Sequence, residues 1–527
     1  MGGWIFESDL LTLKEMLNQT AKWYPDHELV AYDEVGKLIK RTTYKEFNAD
    51  CRRVANAYRS LGLEKGDRAA LLWRGPDLNH TVAYFAATKI GVIPCSLNFR
   101  LTAKMLADQC DQIEPRILVY DSVLKELADS IKKNKPRAIE RYISSDELGE
   151  MASKQPAEEP PEIIREEDPA AIYFTSGVTG LPKPVLHTNR TQWFSAIGQI
   201  MTWDLTPETV NVMVLHPCFI GWANFVLGMI RVGGKLVLMR RFVPRLYLEV
   251  AEKERETFMF LVPTMWRMLL LEDLEKYDLS SVKIVAFAGE PMEPATIKEI
   301  KRRTGAEKII YLWGATESGS HYGCIFISST TKPSVEERPE CVGRPLWGVD
   351  VRIVKPGGSP EDELPPGEIG ELIIRGPSVA VGIWGNPKES KRLFKGSGRD
   401  KWFFTGDAAY LDEDRCIHIQ GRIDFTFKSG GMKVHPELVE RVIKRHPGVA
   451  NVIIIPVKDP VWGYLGKGII VPKKGVKLTP EELDEWCKKQ EDLPRYMRPR
   501  YWEFVKESDI PTTASGKVDR RKLIELA

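Results

Sequence analysis

Segments with strand-like and helix-like patterns alternate through the first 150 residues, and this alternation limits the fold more than any other feature of the sequence. Residues 69–73 (Ala-Ala-Leu-Leu-Trp) form a short apolar run that is typical of a buried strand. Residues 80–89 follow with the spacing of a helix, and the Gly-Val-Ile-Pro sequence at 91–94 closes the unit. Strands that alternate with helices predict a largely parallel, layered sheet.

Two segments before the last hundred residues differ from this alternating pattern. A Glu- and Pro-rich segment at 157–168 predicts a solvated linker, and the apolar strand pattern at 170–174 runs from it into a polar, Gly-containing loop. Between 350 and 375 two apolar segments flank a Pro/Gly turn, which indicates antiparallel β structure in a barrel-like subdomain.

The end of the sequence has the pattern of a separate small domain. A helix begins at Pro436, because a proline suits the first turn of a helix. Apolar strands are predicted at 452–455 and 468–471, and a second helix at 480–488.

These patterns predict an α/β and α+β fold in two domains. With 527 residues the chain exceeds the about 100–200 residues of a typical domain. We expect a large N-terminal domain at 1–421, built of layered α/β subdomains and a β-barrel-like subdomain. A small, mobile C-terminal α+β domain is expected at 422–527.

Composition excludes several classes of function. The formal net charge is only +2, so the chain has no bulk field that would attract nucleic acid. Eight scattered cysteines form no C-x-x-C pair, which favours reduced thiols in a cytoplasmic protein. We find no signal peptide and no apolar run near the about 18 residues of a spanning helix, so no membrane insertion is expected.

The loop at 175–183 (Thr-Ser-Gly-Val-Thr-Gly-Leu-Pro-Lys) is the strongest local signal of chemistry. Its glycines let backbone N–H groups approach an anion, and its hydroxyls can donate to phosphate oxygens. It lacks the spacing of a Walker A loop. The residues predicted to bind a nucleotide here are Thr175, Ser176, Gly177, Thr179, Gly180 and Lys183.

Further motifs follow in a fixed order along the chain. They are Gly289-Glu290-Pro291, the segment 311–317 (Tyr-Leu-Trp-Gly-Ala-Thr-Glu), Thr405-Gly406-Asp407, Gly421-Arg422-Ile423-Asp424, the segment 428–433, and the segment 511–518 with Gly516-Lys517. Together with the loop, this series resembles the adenylate-forming superfamily of acyl-CoA synthetases, peptide-synthetase adenylation domains and luciferases, over essentially the whole chain. Acetyl- and medium-chain acyl-CoA synthetases are the most similar members.

The resemblance implies a role for each motif in the binding of ATP. Thr316 would contact phosphate and Glu317 would hold Mg²⁺, so both are assigned to catalysis. Asp407 would bind the ribose hydroxyls, which suits a carboxylate with two acceptor oxygens. The segments that line the adenine and acyl sites contain Gly289, Glu290, Pro291, Tyr311, Trp313, Gly314 and Ala315.

The same resemblance assigns the C-terminal motifs. Arg422 would reach the nucleotide, and Asp424 would be the hinge between the domains. Gly430 and Gly431 would meet the pantetheine arm of coenzyme A, and Lys433 would approach the phosphates. Lys517 would be the catalytic lysine. This assignment depends on its flanking motif, since a lysine near a C-terminus is usually solvated.

Three positions depart from the family pattern. Val178 replaces the usual Thr and removes one hydroxyl from the loop, and Pro184 replaces a Gly. Phe425 stands where the family commonly has a second Asp, which bears on the detail of the hinge.

The predicted acyl pocket contains Phe219, Gly221, Trp222 and Gly314. Peptide-synthetase domains place an Asp after the Phe to pair with an α-ammonium; Ile220 stands there instead, so an amino acid substrate is disfavoured, because a buried unpaired charge is costly. Acetyl-specific enzymes fill the pocket with a Trp where this chain has Gly314. A medium-chain, branched or aromatic acid is therefore expected. Trp222 has two readings, a pocket wall or a buried structural side chain.

The resemblance thus implies an AMP-forming acyl-CoA synthetase that uses ATP, Mg²⁺ and coenzyme A, with a small carboxylic acid as partner and a homodimer left open. Two alternatives remain. The acyl group could pass to the phosphopantetheine of a carrier protein, or the chain could be an inactive sensor of acyl groups or nucleotides. The complete set of Lys517, Glu317, Asp407 and Arg422 argues against the sensor.

Overall fold

Six sheets organise the part of the chain that the computed structural model describes, which is 9–175, 182–289, 292–319, 341–345, 348–429, 432–490, 493–513 and 517–527. The helices are α1 (Leu13–Trp23), α2 (Tyr44–Ser60), α3 (Leu78–Lys89), α4 (Ala103–Ile113), α5 (Lys125–Lys133), α6 (Ser145–Ser153), α7 (Asn189–Trp203), α8 (Ile220–Val232), α9 (Pro244–Glu254), α10 (Pro263–Leu269), α11 (Pro294–Thr304), α12 (Pro387–Leu393), α13 (Pro436–Ile443), α14 (Pro480–Lys488) and α15 (Arg520–Leu526).

The strands are short and mostly apolar. They are β1 (Glu28–Tyr32), β2 (Leu38–Thr43), β3 (Arg68–Trp73), β4 (Ile93–Asn98), β5 (Ile117–Tyr120), β6 (Arg141–Ser144), β7 (Pro169–Phe174), β8 (Pro184–Thr188), β9 (Val210–Met213), β10 (Lys235–Met239), β11 (Phe258–Phe260), β12 (Ile284–Ala288), β13 (Lys308–Leu312), β14 (Asp350–Val354), β15 (Gly370–Arg375), β16 (Gly382–Ile383), β17 (Phe394–Lys395), β18 (Trp402–Leu411), β19 (Ile417–Arg422), β20 (Phe427–Ser429), β21 (Met432–Val434), β22 (Val449–Asp459), β23 (Gly463–Pro472) and β24 (Tyr501–Phe504).

The chain divides into two compact units. The first contains 1–175, 182–351 and 374–403, and the second contains 176–181, 352–373 and 404–527. The predicted domain boundary between 421 and 422 stays a prediction.

Parallel sheets dominate the first unit, as the alternating pattern predicted. One sheet has the order β4-β3-β5-β6 with every pair parallel, and a second joins β11, β12 and β13 in parallel. A third has the order β2-β1-β10-β9, in which only the β1–β2 pair is antiparallel. The predicted strand at 69–73 and helix at 80–89 are confirmed as β3 and α3.

A small antiparallel sheet carries the segment that precedes and follows the Gly-containing loop. Strand β7 pairs with β8, and β16 from far along the sequence adds to the other edge of β8. The predicted strand at 170–174 is confirmed as β7, whereas the addition of β16 left no local sign in the sequence.

The second unit contains most of β14, β15 and β18, which are neighbours in this order within their sheet, and β19 is antiparallel to β18. Its other sheet has the order β21-β20-β23-β22, with β24 parallel to β23. The predicted helices and strands of the C-terminal region are confirmed as α13, α14, β22 and β23. Closure of β14 and β15 into a barrel stays a prediction.

Strand β22 shows why the last sheet needs helices on both faces. Val452 and Ile454 belong to an apolar core with residues of α13 and α14, and Ile453 and Ile455 belong to a second core with Leu523 of α15. Successive side chains of a strand point to opposite faces, so four consecutive apolar residues are buried only when both faces are covered.

The segment at 157–168 differs from its predicted role as a solvated linker. Glu159 forms ion pairs with Arg52 at 2.6 Å and with the fully buried Lys89 at 3.1 Å. Asn56 donates to the carbonyls of Pro156 and Glu158. The segment is therefore fixed on α2 and α3, because a buried lysine requires an anionic partner that the Glu-rich stretch supplies.

A buried carboxyl joins two of the sheets in the first unit. Glu256 is fully buried, and its Oε1 accepts hydrogen bonds from the backbone N–H of Val212 in β9 at 2.8 Å and from Asn211 Nδ2 at 3.3 Å. Asn211 Nδ2 also donates to the carbonyl of Phe258 in β11. Burial raises the pKa of Glu256 to about 8, so the neutral acid is favoured at neutral pH.

Within the described parts of the chain, none of the helices combines the length and the apolar character that a bilayer crossing requires.

We expect Glu159→Ala to lower the free energy of unfolding by about 3 kcal/mol, because it leaves the Lys89 ammonium buried without its carboxylate. This value is at the low end of the range for breaking a buried ion pair, because Asn18 Oδ1 still accepts a hydrogen bond from Lys89 Nζ at 2.9 Å. Chemical denaturation would measure the loss. Glu158→Ala, one residue away and exposed, is the control; equal effects of the two substitutions would contradict the assignment.

We expect Glu256→Gln to remove a pH dependence of stability. The folded carboxyl titrates at about 8 and the unfolded one near 4.5, so between these values the folded state holds a proton that the unfolded state has lost. Stability from this group is complete below pH 4.5 and declines as pH rises towards 8. The melting temperature of Glu256→Gln relative to the unsubstituted protein should therefore rise from pH 5 to pH 8. The exposed Glu249→Gln should leave that difference flat, and a flat profile for both would refute the assignment.

Candidate functional site

The carboxyl ends of β12 and β13 bring two predicted motifs to one edge of a parallel sheet. Ala288 and Leu312 are paired in the register of these strands, so Gly289 and Trp313 begin adjacent loops. Ligands of open parallel sheets bind outside the carboxyl ends of their strands. Gly289 has a φ of +101° and open space where a β-carbon would lie, which leaves its backbone accessible.

Tyr311 is held in place at the end of β13. Its ring stacks on Phe287 of β12, with ring centroids 5.0 Å apart and an interplanar angle of 18°. Trp313 is half-buried and Gly314 is exposed, so the chain beyond β13 leaves the core at this point.

A tight turn at 315–319 presents Thr316 and Glu317. The Ser318 hydroxyl donates to the Ala315 carbonyl at 2.9 Å and accepts from the Ala315 N–H at 3.0 Å. Both Thr316 and Glu317 remain partly exposed while Ser318 and Gly319 are buried. The turn therefore directs one hydroxyl and one carboxylate towards solvent from a buried base.

Four consecutive backbone carbonyls of this turn accept hydrogen bonds from separate parts of the first unit. His187 Nε2 lies 2.9 Å from the Thr316 oxygen, and the Ala380 N–H donates to the Glu317 oxygen at 2.9 Å. Donors to the next two oxygens are Ser378 Oγ to Ser318 at 3.2 Å, and Ser195 Oγ at 3.1 Å and Asn224 Nδ2 at 3.3 Å to Gly319. None of these donors belonged to the predicted site.

The two ends of the Gly-containing loop are fixed to each other. The Thr175 N–H donates to the Lys183 carbonyl at 3.0 Å, and the Lys183 N–H donates to Thr175 Oγ1 at 3.3 Å. The Lys183 ammonium forms an ion pair with Glu389, whose pKa falls to about 2 through its hydrogen bonds with Arg392 and Lys183. Lys183 is thus near the loop but is engaged by a carboxylate.

Some predicted site residues lie outside the described residues. They are Ser176, Gly177, Thr179, Gly180, Glu290, Pro291, Gly430 and Gly431, together with the departure at Val178.

Three of the four predicted acyl pocket residues, Phe219, Gly221 and Trp222, lie at the start of α8, and Gly314 follows β13. Phe219 precedes the helix and is 36% exposed, and a β-carbon at Gly221 would meet only Leu215, at 3.9 Å. Trp222 is fully buried, and its ring packs edge-on against His80 and Tyr84. Of the two readings of Trp222, this packing matches the buried structural side chain.

In the second unit, Asp407 and Arg422 face each other across the β18–β19 pair. Arg422 Nη1 donates to Asp407 Oδ1 at 3.0 Å and to the Thr405 carbonyl at 2.6 Å. Burial raises the pKa of Asp407, while the positive charges of Arg422 and Lys517 oppose that rise. The carboxylate is therefore oriented by a guanidinium on one side and keeps a second oxygen for a ligand.

Asp424 and Phe425 follow directly in a short turn. Asp424 is 42% exposed at its side chain and lies 3.6 Å from Arg422 Nη2. Phe425 is buried, and the guanidinium of Arg520 lies over its ring at 5.3 Å from the centroid. The departure from the family pattern at Phe425 thus forms a cation–π contact with the C-terminal helix.

Gly421 precedes this motif with a φ of +122°, and a β-carbon there would collide with the Glu437 carboxylate of α13. Only a glycine allows the helix to approach the strand this closely.

Lys433, which is predicted to approach the phosphates, lies beside a second lysine in the second unit. Lys433 in β21 is directly opposite Lys428 in β20, and both are exposed. Like charges directly opposite each other are unfavourable, so a bound anion would relieve their repulsion.

The backbone of Lys517 is held by hydrogen bonding. The Thr513 N–H donates to the Lys517 carbonyl at 2.6 Å, and Thr512 pairs with Val518 in an antiparallel bridge. Lys517 is exposed. Its backbone is therefore fixed while its side chain stays accessible to solvent.

The donor set fits the groups that the motifs imply. Mg²⁺ prefers oxygen ligands and is usually held by one or two carboxylates together with substrate phosphates. Glu317 and the Thr316 hydroxyl offer such oxygens. Among the described residues there is no cluster of three or more His, Cys, Asp or Glu side chains that could hold a metal ion.

Comparison with known proteins agrees with these motifs. The sequence model of the AMP-binding enzyme family matches residues 17–384, and that of the AMP-binding enzyme C-terminal domain matches residues 438–517. A feruloyl-CoA synthase from Amycolatopsis sp is 30% identical over 90% of this chain and 92% of its own. The mitochondrial medium-chain acyl-CoA ligase ACSF2 of Bos taurus is 29% identical over 98% of this chain and 87% of its own.

A solved structure shares the fold. The o-succinylbenzoate coenzyme A synthetase MenE of Bacillus subtilis, in complex with ATP and a magnesium ion, superposes with a TM-score of 0.82 at 25% identity, over 96% of this chain and 98% of that chain. The family match covers most of the sequence, and the chain therefore belongs to the AMP-binding enzyme family, the adenylate-forming superfamily that its motifs resemble.

Proposed function

We propose that this protein is an AMP-forming acyl-CoA synthetase, which uses ATP to activate a carboxylic acid and then transfers the acyl group to coenzyme A. The proposal is supported above all by one observation. Gly289, Trp313 and the Thr316–Glu317 turn all follow the carboxyl ends of the neighbouring strands β12 and β13. Family membership supports the same chemistry.

The first step makes a poor electrophile reactive. A carboxylate oxygen of the acid attacks the α-phosphorus of ATP, the bond from that phosphorus to the bridging oxygen breaks, and pyrophosphate leaves with the electron pair. Mg²⁺ bound to the phosphates would neutralise part of their charge. Glu317 would hold that ion, and Lys517 would stabilise the negative charge that develops on the α-phosphoryl oxygens.

The second step forms the thioester. The sulfur of coenzyme A attacks the acyl carbon after its proton has been lost, and AMP leaves as the carbon–oxygen bond breaks. The segment around Lys428 and Lys433 would approach the thiol substrate, and Asp424 would be the hinge that lets the C-terminal domain serve both steps in turn. These roles remain proposals from the family pattern.

We expect the acid to be of medium chain length, branched or aromatic. Gly314 is exposed and Gly221 has open space beside it, which supports a pocket with room for more than an acetyl group. Ile220 is buried and offers no charge to an α-ammonium, which argues against amino acids. Selectivity for chain length would be modest, because one methylene contributes about 1–3 kcal/mol.

The deciding experiment is an assay of AMP and pyrophosphate release with Mg·ATP, coenzyme A and a panel of carboxylic acids that includes straight-chain, branched and benzoic acids. We expect release that depends on both the acid and coenzyme A. Lys517→Ala should lower the rate of adenylate formation by about 10²–10³, because one cation aimed at developing charge is lost.

Lys522→Ala, an exposed lysine five residues away on α15, is the matched control and should retain the full rate. AMP formation without any effect of coenzyme A would favour a carrier-protein acceptor. Formation of ADP and phosphate, or no turnover with any acid, would refute the proposal.

We expect Asp407→Asn to weaken ATP binding by about 10–100-fold, because a hydrogen bond to a charged group is worth about 1.5–3 kcal/mol. The effect should depend on the ribose. With 2′,3′-dideoxy-ATP, which lacks both hydroxyls, the unsubstituted protein and Asp407→Asn should bind equally. Calorimetry would measure the four affinities, and an equal loss for both nucleotides would show that Asp407 does not contact the ribose.

A further inference from the structure

We propose that His187 is a positioning residue for Glu317: through its hydrogen bond to the Thr316 carbonyl it fixes the turn that presents the Glu317 carboxylate to the magnesium ion of Mg·ATP. The inference rests on the proposed function, since it assigns Glu317 to that ion. It adds a residue that the motifs of the family did not indicate.

The turn at 315–319 has little regular structure of its own to hold it. It follows β13, and hydrogen bonds within it join Ala315 to Ser318 and Gly319 to Thr316. Its orientation therefore depends on donors from elsewhere. His187 in β8 binds the carbonyl directly before Glu317, and Ser378 binds the carbonyl directly after it.

The geometry determines which atom of His187 donates. The Thr316 oxygen can only accept, so Nε2 at 2.9 Å must carry the proton. Nδ1 then has a lone pair, which faces Thr191 Oγ1 at 3.2 Å. The Thr191 hydroxyl also donates to the Thr188 carbonyl at 3.0 Å, so the bond at Nε2 is the stronger of the two, and the His187 side chain is fully buried. Burial lowers the pKa of His187 to about 4, in keeping with a neutral ring and this single tautomer.

The hydrogen bond from His187 limits the orientation of the Glu317 carboxylate, and this effect is larger than the free energy of that one hydrogen bond. Rotation of the peptide between Thr316 and Glu317 would redirect the Glu317 side chain, and the His187 hydrogen bond opposes that rotation. Groups that orient a metal ligand typically change metal affinity by about 10–100-fold when they are removed. The same preorganisation lowers the cost of reaching the transition state.

Two substitutions of nearly equal shape separate donation from packing. His187→Gln can place an amide N–H near the position of Nε2, whereas His187→Met fills similar space without a donor. His27→Gln is the matched control, because His27 Nδ1 contacts the carbonyl of Gly233 at 2.7 Å elsewhere in the first unit.

Calorimetry with α,β-methylene-ATP, measured with Mg²⁺ and with EDTA, gives a readout that is independent of turnover. We expect His187→Met to lose about 10–100-fold of the affinity that Mg²⁺ adds, and to retain its affinity for AMP. His187→Gln should recover most of the loss, and His27→Gln should match the unsubstituted protein. The Mg²⁺ concentration for half-maximal AMP formation should rise in the same order.

Equal Mg²⁺ dependence in His187→Met and His187→Gln would overturn the inference, as would a parallel loss of AMP affinity. If His187→Met does not fold, Ser378→Ala removes the donor on the other side of Glu317 and should also weaken the Mg²⁺-dependent affinity; no change there would equally overturn it. Failure of the proposed function is distinct, because the unsubstituted protein would then form no acid-dependent AMP.

Discussion

The hydrogen bonds to the carbonyls of the 315–319 turn are the interaction on which the candidate site depends most. Buried backbone oxygens require donors, and here the donors come from a strand, two helices and a loop that are far apart in the sequence. A turn held in this way cannot reorient without losing several buried hydrogen bonds together. The result is a buried, well-fixed base for the partly exposed Thr316 and Glu317.

The second unit combines a buried ion pair with exposed lysines. Asp407 is oriented by the guanidinium of Arg422 on the neighbouring strand, so burial does not leave it unpaired. Lys428, Lys433 and Lys517 are instead exposed at the surface of the second unit. Under the proposed function, the carboxylate that would bind the ribose is oriented in advance, while the cations that would meet the phosphates keep their side-chain freedom.

The structure shows how two departures from the family pattern are accommodated. Phe425 packs under Arg520, which also contacts Glu440 at 2.7 Å and so connects α15 to α13. Pro184 is the first residue of β8 and is paired with Phe174, and the start of a strand tolerates a residue without an N–H. Pro184 removes no charged group from the motifs, whereas Phe425 stands in place of a carboxylate. Lys183 is different, because its pairing with Glu389 means that any phosphate contact must compete with that carboxylate.

The alternating α/β pattern, most strands and helices, and the identity of the motifs could be predicted from the sequence, because periodicity and turn residues act locally. The packing of the segment at 157–168 on α2 and α3 could not, since the buried Lys89 that pairs with Glu159 lies 70 residues away. Nor could it reveal the donors to the 315–319 turn: His187 sits in an apolar strand pattern, and only its polarity there was a local sign. These contacts are visible only in the folded protein, because a hydrogen bond between distant segments depends on the packing of whole sheets and helices.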